Sequence, residues 1–197
     1  MNSLGLFCCV RMKKYNSYKG DAGKFTPNIL NRNFKADKAN QKWVTDISEI
    51  SFCGKKTYLS VILDLYNREI ISYNLSDHAN MMQINHTLEQ AFRKIPDNTN
   101  LILHSDQGWQ YQQKSYQNKL IVKGIQQSMS RKANCHDNAV VENFFSILKT
   151  ELLYIREFTS IEEIKKELIN YIEYYNNDRI KYSLNWLSPV DYRKSVA

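Results

Sequence analysis

The stretch from Tyr58 to Leu65 is almost wholly apolar and lies between turn-forming stretches, the pattern of a strand buried inside a sheet rather than on its surface. A chain carrying such a strand must supply partners for it, and the flanks do. Trp43 to Phe52 mixes β-branched, aromatic and polar residues, and a turn at Gly54-Lys55-Lys56 joins it to Tyr58 as a hairpin. Tyr66-Asn67-Arg68 then turns the chain into Glu69 to Asn74, rich in Ile and Tyr, so three antiparallel strands are expected. The pattern next changes to alternation. Met81 to Lys94 has helical spacing in Met82, Leu88, Ala91 and Phe92 and is stopped by Pro96, and Leu101-Ile102-Leu103 is a short buried strand. Tyr111 to Val122 fits a helix and Gly124 to Ser128 a last strand. Asp137-Asn138 supplies N-cap candidates for a helix to about Leu153, and Ser160 to Asn176 a further helix before a tail from Trp186 to Tyr192. This order predicts an α/β fold, one mixed five-stranded sheet covered by helices; the pattern alone leaves the topology open.

Composition narrows the function classes. In 197 residues no apolar run reaches the roughly 18 to 20 residues of a membrane span, and Met1 to Val10 lacks the basic start of a signal peptide. Cys8, Cys9, Cys53 and Cys135 show no CxxC spacing, which points to reduced thiols in a cytoplasmic setting. Charge is placed unevenly. Arg11, Lys13, Lys14, Lys19, Lys24, Arg32, Lys35 and Lys38 stand against Asp21 and Asp37, so this segment holds +6 of the net +7. Such a segment is a handle for a polyanion, with Tyr15, Tyr18, Phe25 and Phe34 as stacking surfaces; a solvated basic leader is the alternative. Pro27, Gly20, Gly23 and the Asn-rich stretch Asn28 to Asn33 make it linker-like, with the compact domain beginning near Trp43.

Three acidic residues stand out. Asp46 lies inside a predicted strand, where a carboxylate needs a partner, and Asp106 follows the strand Leu101 to Leu103, where sites in α/β sheets open. Helical geometry places the third. With Glu142 at 0° and about 100° per residue, Val141, Phe144, Phe145, Leu148 and Leu152 fall between about 200° and 300°, while Lys149 returns to about 340°. Glu142 and Lys149 share a face beside the buried stripe. Carboxylates converging on one crevice repel and call for hard divalent cations, and two such ions about 3.5 to 4 Å apart suit in-line phosphoryl transfer.

The motifs Trp43-Val44-Thr45-Asp46, His104-Ser105-Asp106-Gln107-Gly108, Ser128-Met129-Ser130-Arg131-Lys132 and Asp137-Asn138-Ala139-Val140-Val141-Glu142-Asn143-Phe144-Phe145 resemble the integrase-type transposases of bacterial insertion sequences, specifically the OrfB-type catalytic part of insertion sequence family three. The 35 residues between Asp106 and Glu142 and the basic Lys149 seven residues on fit the same pattern. The resemblance continues through Tyr174-Tyr175-Asn176, Arg179, Ser188-Pro189 and Tyr192-Arg193. It implies an RNase H-like, retroviral-integrase-type fold and a DDE triad of Asp46, Asp106 and Glu142 holding two Mg²⁺ or Mn²⁺ ions. It also implies DNA cleavage followed by strand transfer, with Lys149, Arg131 and Lys132 contacting DNA. Residues 1–40 would be a remnant of a DNA-binding region plus linker, 41–155 the catalytic core and 156–197 a helical extension. Implied partners are DNA, further copies of the chain on DNA ends, and a helix-turn-helix protein or fused N-terminal region, on the bacterial nucleoid and with no membrane. Ala133 departs from the family, which usually has Gly there, and most of the DNA-binding region expected before Leu4 is missing, so the chain alone should bind DNA weakly and with little sequence preference.

Asp64 is expected to pair with the turn after it or with Arg68, His104 to be a hydrogen-bonding neighbour rather than a zinc ligand with His136 and Cys135, and Ser105, Ser128 and Ser130 to lack a hydrolase triad. A plain nuclease of the same fold and a catalytically silent DNA-binding remnant remain the alternatives to a transposase.

Overall fold

The computed structural model describes residues 25–131 and 135–196. The basic residues from Arg11 to Lys24, and Lys132 and Ala133, lie outside the described residues.

Strand β1 (Lys42–Phe52) and β2 (Lys55–Asp64) form a hairpin whose two-residue turn is Cys53-Gly54, both with positive φ of 46° and 77°. A hairpin turn of this kind needs left-handed backbone at both central positions. The turn thus falls one residue earlier than Gly54-Lys55-Lys56, and Lys55 and Lys56 start β2. β3 (Ile70–Ser76) pairs antiparallel with β2. β4 (Ile102–Ser105) and β5 (Gln126–Met129) add parallel to β1, giving the order β3-β2-β1-β4-β5. Each parallel step needs a crossover, supplied by α1 (Met81–Phe92) and α2 (Lys114–Lys123).

The apolar run in β2 finds its explanation in the two cores. Leu59, Val61 and Leu63 face one side, with Val44 of β1, α3 (Ala139–Leu148) and α4 (Ile161–Asn177). Ile62 faces the other, with Trp43, Leu103, α1 and α2. Alternating residues therefore all meet apolar neighbours, each large side chain stabilising the fold by roughly 1.5–3 kcal/mol.

Several expectations need correction. The helix expected over Tyr111 to Val122 begins only at Lys114, as α2; its expected start belongs to a 3₁₀ turn, Trp109–Gln112, separated from α2 by extended Gln113, which lets Tyr111 point inward. α3 does not continue to Leu153 as an α-helix; Lys149–Leu153 is a π turn that closes with Tyr154 N–H donating to the Lys149 carbonyl at 2.9 Å and keeps Leu152 in the core. Asn138 sits at the N-cap position of α3 but makes no capping bond. The tail contains α5 (Pro189–Ser195), started by Ser188 accepting from Asp191 N–H with Pro189 in the first turn, a signature legible in the sequence.

Neither proposed boundary is a break in packing. Leu30, in the segment expected to be linker, is 2% exposed inside the core, and Ile29 and Leu30 N–H both donate to Ser128 Oγ on β5 at 2.9 and 3.1 Å. At the other end Tyr175 of α4 packs edge-on to Phe144 of α3, and the Asn176 amide brackets Ile70, accepting from its N–H and donating to its carbonyl.

Candidate active site

Asp46 and Asp106 are brought level by sheet register. Val44 and His104 are partners across the parallel β1–β4 pair, and each acidic residue lies two positions further on. β4 ends at Ser105, so Asp106 is the first residue beyond the strand, while Asp46 remains within β1 on the side facing α3. The Asp106 carboxylate accepts from Gly108 N–H at 2.9 Å, closing a tight turn. A Cβ at Gly108 would stand 2.4 Å from the Gln110 amide nitrogen and 3.0 Å from the Asp106 carboxylate, so any larger residue there would have to displace the Gln110 side chain. Gln107 donates to the Ser130 carbonyl at 3.0 Å, and Ser130 N–H to the Ser105 carbonyl at 2.9 Å, tying the ends of β4 and β5 together.

Glu142 lies in the first turn of α3, whose buried face is Val141, Phe144, Phe145 and Leu148, as the helical arithmetic predicts. Electrostatics place it with the aspartates. Burial pushes the Asp46 carboxyl well above the usual carboxylate range, Asp106 and then Glu142 raise it further, and the Ile47 N–H, donating at 2.8 Å, and Lys149 oppose the rise. Asp106 is raised by burial against the Gly108 N–H, and Glu142 by burial and by Asp106, with His136 opposing. Lys149 is half-buried, its proton affinity lowered by burial and raised in part by Asp46. Asp46 thus senses Asp106, Glu142 and Lys149, and Glu142 senses Asp106. Among the described residues no three acidic, His or Cys side chains stand close enough to hold an ion as placed. Like charges brought together in this way repel, and a hard cation would relieve that repulsion.

The remaining predicted residues are engaged in other ways. The Arg131 guanidinium forks onto Asp137, with Nε at 2.9 Å and Nη2 at 2.9 Å, so the face left for another ligand is its solvent side. Asp64 accepts from Asn40 and Tyr66 N–H and pairs with Arg193; the turn was anticipated, but the cation is Arg193 rather than Arg68.

His104 is buried beneath the site with a proton affinity lowered by burial to about 4, so it is neutral at pH 7. Its tautomer follows from donor counting. Ser128 Oγ already accepts two backbone N–H bonds, so its hydrogen goes to Nδ1 at 2.8 Å; Nε2 then carries the ring proton and donates to Ser130 Oγ at 3.1 Å. Both ring nitrogens are therefore occupied.

Sequence reasoning missed two residues. Tyr111 is buried beneath Asp46 and Asp106, its ionisation suppressed by burial and then by those carboxylates. Asp137, read only as a cap candidate, gathers donors from two distant parts of the chain, Asn28 with Arg32 and Arg131. The clue was the basic pair Arg131-Lys132, whose arginine stands six residues before an Asp that precedes the Glu142 helix.

Known proteins resemble this chain in sequence and in fold. Residues 36–135 match a family described as integrase core domain, and residues 142–196 match a second integrase core domain family. The putative transposase InsK of insertion sequence element IS150 from Escherichia coli K12 is 50% identical over all of this chain, which spans 69% of that protein. An uncharacterized transposase-like protein of Haemophilus influenzae is 48% identical over 98% of this chain and 89% of its own length, and the transposase for insertion sequence element IS904 of Lactococcus lactis is 35% identical over 98% and 78%. Among solved structures, the HTLV-2 integrase catalytic core domain in complex with magnesium superposes with a TM-score of 0.63 at 14% identity, covering 81% of this chain and 99% of its own. The BIV integrase catalytic core gives 0.58 at 17%, covering 80% and 95%. At these identities the structures show the fold, which is RNase H-like.

Proposed function

The chain belongs to the integrase-core transposases of insertion sequences, and from that premise we propose that Asp46, Asp106 and Glu142 hold divalent cations for DNA cleavage and strand transfer. The observation that carries this is the β1–β4 register that sets Asp46 level with Asp106, where burial, Asp106 and Glu142 raise the Asp46 proton affinity. Carboxylates arranged to repel in a half-buried crevice favour hard cations with oxygen ligands, and the magnesium complex of the HTLV-2 core supports the same choice. Two Mg²⁺ or Mn²⁺ ions, when bound, supply Lewis-acid stabilisation of the entering and leaving oxygens.

The protein's own residues orient and screen. Asp46 and Asp106 sit on adjacent parallel strands and fix one side of the crevice; Glu142 closes it from α3. Water displaces a DNA 3′-hydroxyl from phosphorus in the first step, and that hydroxyl displaces another from target DNA in the second, with no covalent protein intermediate. Lys149, beside Asp46, offers a cation to a nearby phosphate, and Arg131 its solvent face. Lys132 shares that role in this proposal.

DNA is the substrate, and further copies of the chain on paired DNA ends are the natural assembly, in line with the dimeric and trimeric forms named for the HTLV-2 core. A helix-turn-helix partner or fused region would read the element end. No helix among the described residues is long and apolar enough to cross a membrane. Labelled element-end DNA with Mg²⁺ or Mn²⁺ tests the proposal. Joined products support it, cleavage alone indicates a nuclease, and binding alone a silent remnant.

A further inference from the structure

Glu142 stands in the first turn of a helix with no side-chain cap, where Asp106 and, across from it, Asp46 repel it. Something must hold the start of α3 against that repulsion. Residues 137 and 138 are built for it. The Asp137 side chain is 0% exposed. Its two oxygens accept from Arg131 N–H at 3.0 Å, Arg131 Nε and Nη2 at 2.9 Å, Arg32 Nε at 2.8 Å and Asn28 Nδ2 at 2.9 Å. These donors hold its carboxyl far below the usual carboxylate range, the Arg131 side chain most of all. Asn138 Nδ2 donates to the Thr45 carbonyl at 3.3 Å, one residue before Asp46. Two consecutive side chains therefore fasten the Glu142 helix to the Asp46 strand, to the loop after β5 and to the segment 26–32.

That segment is itself seated on the sheet. Thr26 Oγ1 donates to Gln127 Oε1 at 3.1 Å, Ile29 and Leu30 N–H donate to Ser128 Oγ, and Leu30 is buried in the core. Resting on the metal-dependent function proposed above, we propose that Asp137 is a positioning residue for Glu142, and that the strap 26–32 makes the geometry of the acidic crevice depend on its own docking through Arg32 and Asn28. Asp137 touches no reacting atom. It sets the separation of Glu142 from Asp46 while like charges push them apart, and the strap couples whatever lies upstream to that separation.

Arg32→Gln tests this in a folded protein, because Arg131 still neutralises Asp137. Asp137→Asn is the stronger variant and Arg32→Lys the conservative one. Direct Mn²⁺ binding, read from free-ion resonance, and amide exchange of residues 140–144 accompany strand-transfer rates. We expect Arg32→Gln to weaken Mn²⁺ binding about tenfold and to speed exchange at the start of α3, with Arg32→Lys recovering most of both and Asp137→Asn losing up to about a hundredfold, the span seen for residues that orient metal ligands. Wild-type Mn²⁺ affinity and exchange in folded Arg32→Gln overturn the proposal, as does a lower melting temperature with metal binding unchanged. If the wild type binds no Mn²⁺ that Glu142→Gln abolishes, the functional assignment fails instead, so the two failures are distinguishable.

Discussion

Asp137 and the Asp46–Asp106–Glu142 group are both acidic and both withdrawn from water, yet the fold treats them in opposite ways. Asp137 receives two arginines, an asparagine and a backbone N–H, and its proton affinity is driven down. Asp46 and Asp106 each receive one backbone N–H, face other carboxylates, and hold protons more tightly than usual. Asp64 resembles Asp137 in being supplied with donors, from Asn40, Tyr66 and Arg193, although burial still outweighs them. A buried carboxylate furnished with its own donors is part of the scaffold; one left facing its like is complementary to a cation the protein does not itself provide.

The sharpest way to break this comparison is to neutralise each kind. Asp46→Asn, Asp106→Asn and Glu142→Gln should each reduce cleavage and strand transfer by on the order of a thousandfold or more, since ligands acting as a unit fail together. The metal-free protein should melt at the same or a higher temperature, because repulsion is relieved. Metal-dependent activity retained in any of the three, measured alongside calorimetry, removes that residue from the group.

The scaffold set should show the reverse. Arg193→Ala leaves Asp64 buried without its cation and strips a partner from Glu69 as well. It should destabilise the fold by about 3 kcal/mol, the scale for breaking a buried pair from one side. Activity per folded molecule should remain. Denaturant unfolding and a rate normalised to folded protein check it; a large loss of rate with little loss of stability would place Asp64 with the reactive carboxylates.

These contrasts were unevenly legible in the sequence. Asp46, Asp106 and Glu142 could be picked out because a carboxylate inside a strand, another at a strand end and a third beside an apolar helical stripe each break a local pattern, and the motifs joined them. Chain order did not show that Asp46 and Asp106 lie level, because that depends on the parallel β1–β4 register between segments far apart in sequence. The strap was misjudged for a related reason: Pro, Asn and basic residues read as linker, whereas Leu30 and two backbone N–H groups meet β5 only after the sheet forms. α5 was missed although Ser188-Pro189 and Asp191 announced it, because seven residues carry too little periodicity to reveal a helix.

A smaller effect appears in pH. Groups whose proton affinity is raised on folding bind more protons in the native state above the usual carboxylate value, so stability from Asp46, Asp106 and Glu142 is present in acid and lost as pH rises from about 4 through their raised values. His104 acts with the opposite sign: lowered from 6.5 to about 4, it contributes stability above 6.5 that is lost as pH falls toward 4. Melting curves of metal-free protein should therefore change shape in opposite directions in Asp106→Asn and His104→Gln. Added Mg²⁺ should flatten the carboxylate part alone, and no effect of Mg²⁺ on the pH dependence would count against a cation site.

The smallest effect tests a positive charge beside the acidic group. Lys149 lies seven residues after Glu142, as the first residue of the π turn that follows α3, and its charge lowers the proton affinity of Asp46. A cation that repels a proton from Asp46 must also repel a divalent ion bound there. Lys149→Ala should therefore tighten Mn²⁺ binding by a few-fold, on the order of 1 kcal/mol or less for charges partly exposed to solvent. DNA should respond in the other direction. Removal of one phosphate-neutralising charge should weaken binding most at low salt and reduce the slope of log K against log salt by about one. Opposite signs for metal and DNA in the same variant would mark Lys149 as a cation held for substrate rather than as a counter-ion for the acidic group. If Mn²⁺ binding instead weakens, Lys149 belongs to the scaffold of the site, and if neither affinity changes, it is a solvated side chain near Asp46 with no part in either ligand.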